Sequence, residues 1–157
     1  MASPPPEVVP VSPVTSTGLD SSFLDTLVGY NARRAALSII DVFMERMSVY
    51  GLTVVDFSVL SLIAHNPGAT SRQLCTALNI LPPNFVSLVG SLDKRGWVSR
   101  KPHPTDGRAI GLHLTRSGAA LVRKAEQSVA QLEIDATARL SAEERQTLLD
   151  LLKKVYT

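Results

Sequence analysis

Apolar side chains first fall into register at Phe23, Leu27, Tyr30, Leu37, Ile40, Phe43 and Met47, at three- and four-residue steps that gather them on one face of a helix. Between Leu19 and Tyr50 there is no proline and a single internal glycine, Gly29, so the pattern predicts one long amphipathic helix ending at Gly51. Three hydroxyl residues then stand three positions ahead of a side-chain acceptor: Thr53 before Asp56, Thr70 before Gln73, and Ser141 before Glu144. In such a pair each side chain satisfies a backbone N–H of the other's residue, which marks a helix start. The helices predicted from them run from Val54 to His65, stopped by Asn66, Pro67 and Gly68; from about Ser71 to Leu78, stopped near Asn79; and from Ala142 to Tyr156.

Pro83 suits the first turn of another helix, where its missing N–H would be unpaired anyway, and Gly96 closes that helix. The period then changes. Trp97 to Lys101 reads as a strand, Pro102 to Gly107 as a turn, and Ile110, Leu112 and Leu114 alternate with Gly111, His113 and Thr115. A two-stranded hairpin therefore follows a helix-turn-helix. Helical periodicity returns from Arg116 to about Leu140 and again in the last helix, where Leu148, Leu152 and Val155 form a stripe. The fold class expected is mainly α with a small β-hairpin wing. A winged helix-turn-helix over residues 52–115 is flanked by long helices at 19–51 and 116–157, forming one domain over 19–157. Residues 1–18, with Pro4, Pro5, Pro6, Pro10 and Pro13, are expected to be a disordered leader.

Composition narrows the class. Cys75 is the only cysteine, so no intramolecular disulfide is possible, which fits a reducing compartment. The first basic residue is Arg33, and no apolar run approaches membrane-spanning length, so a soluble cytoplasmic protein without a membrane partner is expected. His65, His103 and His113 lack metal-ligand spacing with each other or with Cys75, and there is no phosphate-binding glycine loop. No enzyme, cofactor or metal is expected. The formal net charge is +2, yet Gly68 to Arg116 holds seven basic residues against two acidic ones. That segment reads either as a polyanion-facing surface on a neutral or acidic scaffold or as a solvated charged face.

On the helix opened by Pro83, the residues Phe85, Leu88, Val89 and Leu92 recur at helical spacing and form a buried stripe. The other side presents Asn84, Ser87, Ser91, Lys94 and Arg95, short polar groups leading and cations trailing. Short side chains can approach base edges while long cations reach phosphates, and Asn84 can pair bidentately with adenine. The contact set expected on this helix also takes in Phe85 and Leu88. In the preceding helix, Ser71, Arg72 and Gln73 occupy a first turn suited to holding a phosphate. The hairpin adds Arg100, Lys101, His103, Asp106 and Arg108. An Arg at a hairpin tip is suited to a narrow minor groove, and Asp106 is suited to orienting Arg108 or closing the turn. An ordinary amphipathic helix with a solvated face is the alternative, and the hairpin and paired caps around it argue against that.

The stretch from Leu52 to Gly118, with LVGSLDKRGWVSR at 88–100, PTDGRAIGLHLT at 104–115 and RSG at 116–118, resembles the MarR family, its most specific element being Asp106-x-Arg108. The resemblance implies a homodimer built from the N- and C-terminal helices. Its two winged domains would enter successive major grooves of a near-palindromic double-stranded operator, giving a repressor released by a small ligand. Phe85, Ser87 and Gly90 depart from residues common in the family, so no operator sequence carries over. Members often respond to small anionic aromatic ligands held between the dimer helices and the winged domain. In this chain Tyr30, Arg33 and Arg34 could supply an aromatic wall and a carboxylate clamp, with His65 beside them. Surface or inter-subunit ion pairs for the arginines, and a helix-end dipole for His65, are the alternatives. Cys75, beside Leu74 and Leu78, reads as inert packing, with oxidant sensing as the alternative. A protein-interaction module of the same fold would show an apolar groove on the same face.

Overall fold

The computed structural model describes residues 18–102 and 109–157, so the proline-rich leader and the wing residues His103, Asp106 and Arg108 lie outside the described residues. The elements are α1 (Ser22–Asp25), α2 (Val28–Met47), a 3-10 turn (Ser48–Tyr50), α3 (Val54–His65), α4 (Ser71–Leu78), α5 (Pro82–Lys94), β1 (Val98–Pro102), β2 (Ile110–Leu114), α6 (Arg116–Ala136) and α7 (Ala142–Tyr156). This is the mainly helical chain with a hairpin that the patterning predicts. The chain divides into two units, one through Ser38 and one from Ile39 onward.

The first predicted helix is interrupted. Short polar side chains at its start bond to nearby backbone: the Asp20 carboxylate accepts from the Ser22 N–H at 2.9 Å and the Thr26 hydroxyl donates to the Phe23 carbonyl at 2.7 Å. The first bond lies at the start of α1; the second, together with the Asn31 amide donating to the Asp25 and Leu27 carbonyls at 2.8 Å each, offers the backbone an alternative to the helix ladder where α1 ends after one turn. The long helix begins only at Val28. Its far end closes as expected, with Gly51 in the left-handed region at φ 61°.

All three capping pairs form reciprocally, at Thr53–Asp56, Thr70–Gln73 and Ser141–Glu144. From Ile39 onward the core draws on α2, α3, α5, the hairpin and α6: Met47, Leu60, Ile63, Phe85, Leu92, Leu112 and Leu132 are fully buried. Each such side chain contributes about 1.5–3 kcal/mol of transfer free energy. Phe43 and Phe57 add a tilted ring pair at 5.8 Å between centroids.

β1 and β2 are antiparallel, with Val98 opposite Leu114 and Arg100 opposite Leu112. The segment ahead of α4 adds a third, irregular partner that patterning does not disclose. Gly68 N–H donates to the Leu112 carbonyl at 2.8 Å, Leu112 N–H donates to the Ala69 carbonyl at 2.9 Å, and Thr70 bridges Gly111. The approach is so close that a Cβ on Gly111 would stand 2.8 Å from the Gly68 carbonyl oxygen. The base of the wing is thereby fixed to the start of α4. Beyond the hairpin, the Thr115 and Ser117 hydroxyls both donate to the Gly96 carbonyl, at 2.6 and 2.9 Å, and set where α6 begins. In α7 the predicted stripe of Leu148, Leu152 and Val155 is exposed, with Leu149, Leu151 and Tyr156 beside it. No single helix among the described residues is long and apolar enough to cross a membrane.

Candidate nucleic-acid interface

The first turn of α4 places Ser71 and Arg72 outward, with no side-chain partner among the described residues. Gln73 is partly committed. Its side-chain oxygen accepts from the Thr70 N–H at 2.8 Å and the Thr70 hydroxyl at 2.9 Å, which leaves only its amide N–H groups for a ligand.

Helix α5 opens with Pro82 and Pro83 and buries Phe85, Val89 and Leu92. The opposite face carries Asn84, Ser87, Ser91 and Lys94, all exposed and all without a side-chain partner among the described residues. Phe85 drops out of the expected contact set. It is fully buried, because the same helical period that turns Asn84 outward turns Phe85 toward the core. Leu88 is half-buried on the edge of that stripe. Two exposed apolar residues at the start of the helix escape the sequence reading, Leu81 at 70% and Val86 at 63%. Val86 sits one position past the buried Phe85, so its outward turn was available from helical spacing alone.

Arg95 also departs from expectation. Its guanidinium carbon lies 3.7 Å from the centre of the Trp97 ring, Nη2 donates to the Gly51 carbonyl at 2.8 Å, and Nη1 is 4.0 Å from the Asp56 carboxylate. A cation held by three internal partners is not the free phosphate ligand that its place after Lys94 suggests. Arg100 pairs at 3.6 Å with Asp93, both partly exposed, and Lys101 is exposed.

Of the residues proposed around a small ligand, Tyr30 and Arg34 are brought together. The Arg34 guanidinium donates to the Tyr30 hydroxyl at 3.2 Å and lies 5.8 Å from the ring centre. That bond raises the Arg34 pKa above the usual arginine value. Arg33 is exposed on the same helix. His65 closes α3 with Nε2 at 2.9 Å from a Glu126 carboxylate oxygen that also accepts the Ser61 hydroxyl at 2.7 Å, linking α3 to α6. Next to that link a cleft of about 330 Å³ opens between α3, the hairpin and α6, with Ile63, Leu114 and Val122 in its wall and Lys101, His113 and Arg123 as its basic groups. Cys75 is half-buried against the core. No cluster of three His, Cys, Asp or Glu side chains able to hold a metal occurs among the described residues.

A helix with an uncommitted polar face, seated beside a basic hairpin, is a feature with known parallels. The model of the MarR family matches residues 50–109, from the end of the 3-10 turn into the wing. The multiple antibiotic resistance protein MarR of Escherichia coli is 35% identical over 112 residues, covering 71% of this chain and 78% of its own. The chain belongs to the MarR family. A relative from Thauera aromatica, assigned as a transcriptional regulatory protein for the hcr operon, is 33% identical over 130 residues, covering 82% of this chain and 78% of its own. Among solved structures, the transcriptional repressor CouR bound to a 23-mer DNA duplex matches with a TM-score of 0.82 at 35% identity, covering 88% of this chain and 99% of that one. CouR bound to p-coumaroyl-CoA matches at 0.77 and 35% identity, covering 87% of this chain and 96% of that one. The Thauera relative and CouR are both transcriptional regulators by name.

Proposed function

We propose that this MarR-family protein is a cytoplasmic, sequence-specific repressor that binds double-stranded DNA as a homodimer and leaves its operator when a small ligand binds. The observation that carries the reading is the division of α5: one face is buried, while Asn84, Ser87, Ser91 and Lys94 stand outward with no internal partner. With α5 in the major groove, Asn84 and Ser87 meet base edges, Val86 lies against a thymine methyl, and Lys94 meets phosphate. The first turn of α4 holds a second phosphate through Ser71 and Arg72, and Gln73 assists with its amide N–H groups. On the wing, Arg100 and Lys101 follow the phosphate backbone, and His103, Asp106 and Arg108 are the further candidates for DNA contact, an arginine being suited to the minor groove.

The dimer is built from residues 19–51 and 116–157, where the exposed stripe Leu148, Leu152 and Val155 needs a cover. CouR provides the precedent for both partners, DNA and an aromatic thioester carrying phosphates. In this chain the cleft between α3, the hairpin and α6 offers an apolar wall for a ring and Lys101 and Arg123 for an anion, with the Glu126 carboxylate, engaged by Ser61 and His65, also in its lining. Tyr30, Arg33 and Arg34 on α2 are separate candidates for holding a small anionic ligand. A coupling of about 1–3 kcal/mol between ligand and DNA would weaken operator binding roughly 5- to 150-fold. Cys75, packed against the core, serves as a small apolar residue rather than a redox sensor.

Selection of bound duplexes from a random pool tests the reading. An enriched near-palindrome with half-sites about one helical turn apart supports the dimeric repressor. Absence of any enrichment would transfer the exposed Leu81 and Val86 to a protein-interaction role on the same face.

A further inference from the structure

Arg95 is the C-cap of α5, and its side chain reaches a part of the molecule far away in sequence. Its Nη2 donates to the carbonyl of Gly51, the left-handed residue that closes the turn after α2, and its Nη1 faces Asp56, the buried acid that closes the capping box of α3. The plane of the guanidinium rests on Trp97 at 3.7 Å, at the entry to β1. The fit against Gly51 is tight, since a Cβ there would lie 2.9 Å from Nη2. One side chain therefore joins the end of the outward-facing helix, the junction between α2 and α3, and the root of the wing.

We propose that Arg95 is a positioning residue, not a phosphate contact: it sets the angle at which α5 is presented and ties that angle to the α2–α3 junction. The inference rests on α5 being the DNA-facing helix. A displacement of the junction moves the Gly51 carbonyl and Asp56, and the guanidinium carries that movement to the end of α5. Lysine cannot replace it. A single ammonium has neither the planar face for Trp97 nor the fork that serves a carbonyl and a carboxylate together.

The test compares wild type, Arg95→Lys and Arg95→Ala for affinity toward the selected duplex at several salt concentrations, together with the emission of Trp97, the only tryptophan in the chain. Arg95→Lys keeps the charge, so the expected result is a loss of about 2- to 30-fold in affinity with the salt slope unchanged. In the free protein its Trp97 emission should shift. Should Arg95→Ala fail to fold, Arg95→Lys alone carries the comparison. Wild-type affinity and emission in Arg95→Lys would overturn the inference, as would a salt slope reduced by about one unit in Arg95→Ala and restored by lysine, the signature of a phosphate contact. If the wild type binds no duplex, the DNA reading falls and takes the inference with it. Wild-type binding alongside an unaltered Arg95→Lys removes the inference alone.

Discussion

At the N-terminal end of α5, Asn84 and Ser87 project outward with no partner among the described residues; at its C-terminal end, Arg95 is bonded to Gly51, faces Asp56 and lies on Trp97. Asn84, Ser87 and Arg95 all look polar and available in a helical projection, and only the first two are. An uncommitted group exchanges water for a ligand. A committed one must first break internal bonds, each worth roughly 1.5–3 kcal/mol where a charge is involved. Availability for a partner is thus decided by what the rest of the fold has already claimed, and polarity alone is a poor guide to it. Lys94 and Arg95, adjacent and equally cationic, fall on opposite sides of that line.

The largest effect that would test the division is on stability. Phe85→Ala should cost about 3–5 kcal/mol in chemical denaturation, since it empties a fully buried ring position. A variant of near wild-type stability would mean that Phe85 faces outward after all. A smaller effect belongs to Lys94→Ala, which should leave folding intact and reduce the slope of log affinity against log salt by about one unit, equally for all duplexes. The smallest comes from a charge committed elsewhere. Arg46 bonds to Asp135, and that bond, with a second from Gln131, lowers the Asp135 pKa below its ordinary value. A carboxylate with a depressed folded pKa contributes stability above the usual carboxylate range and loses it as pH falls through the folded value. Asp135→Asn should therefore be slightly less stable than wild type at neutral pH, the gap closing in acid, with DNA affinity untouched. Thermal unfolding across pH checks the first part and a binding titration the second.

Much of this fold could be read from local signals. The three capping pairs, the proline entry to α5 and the alternation in β2 each depend on residues a few positions apart, and each element forms where those signals put it. The break at Thr26 was hidden because the apolar period runs through it without a pause. At the break the Thr26 hydroxyl bonds the Phe23 carbonyl and the Asn31 amide bonds the Asp25 and Leu27 carbonyls, side-chain contacts that periodicity does not register. The third partner of the hairpin was hidden for a different reason: Gly68 and Gly111 show only that backbone can come close, not to what. At the site, the outward set on α5 followed from spacing, and the same spacing should have excluded Phe85. The role of Arg95 was out of reach, because Gly51 and Asp56 come to it only through the tertiary fold.

The most direct test of the proposed interface is a pair of titrations of Asn84→Ala, one against the selected duplex with every single base-pair change and one against a scrambled duplex of equal length. The expected result is a loss of about 1–3 kcal/mol confined to particular base pairs, with scrambled-duplex affinity and salt slope unchanged. An equal loss on both duplexes, or no loss on either, would contradict base readout by the outward face of α5.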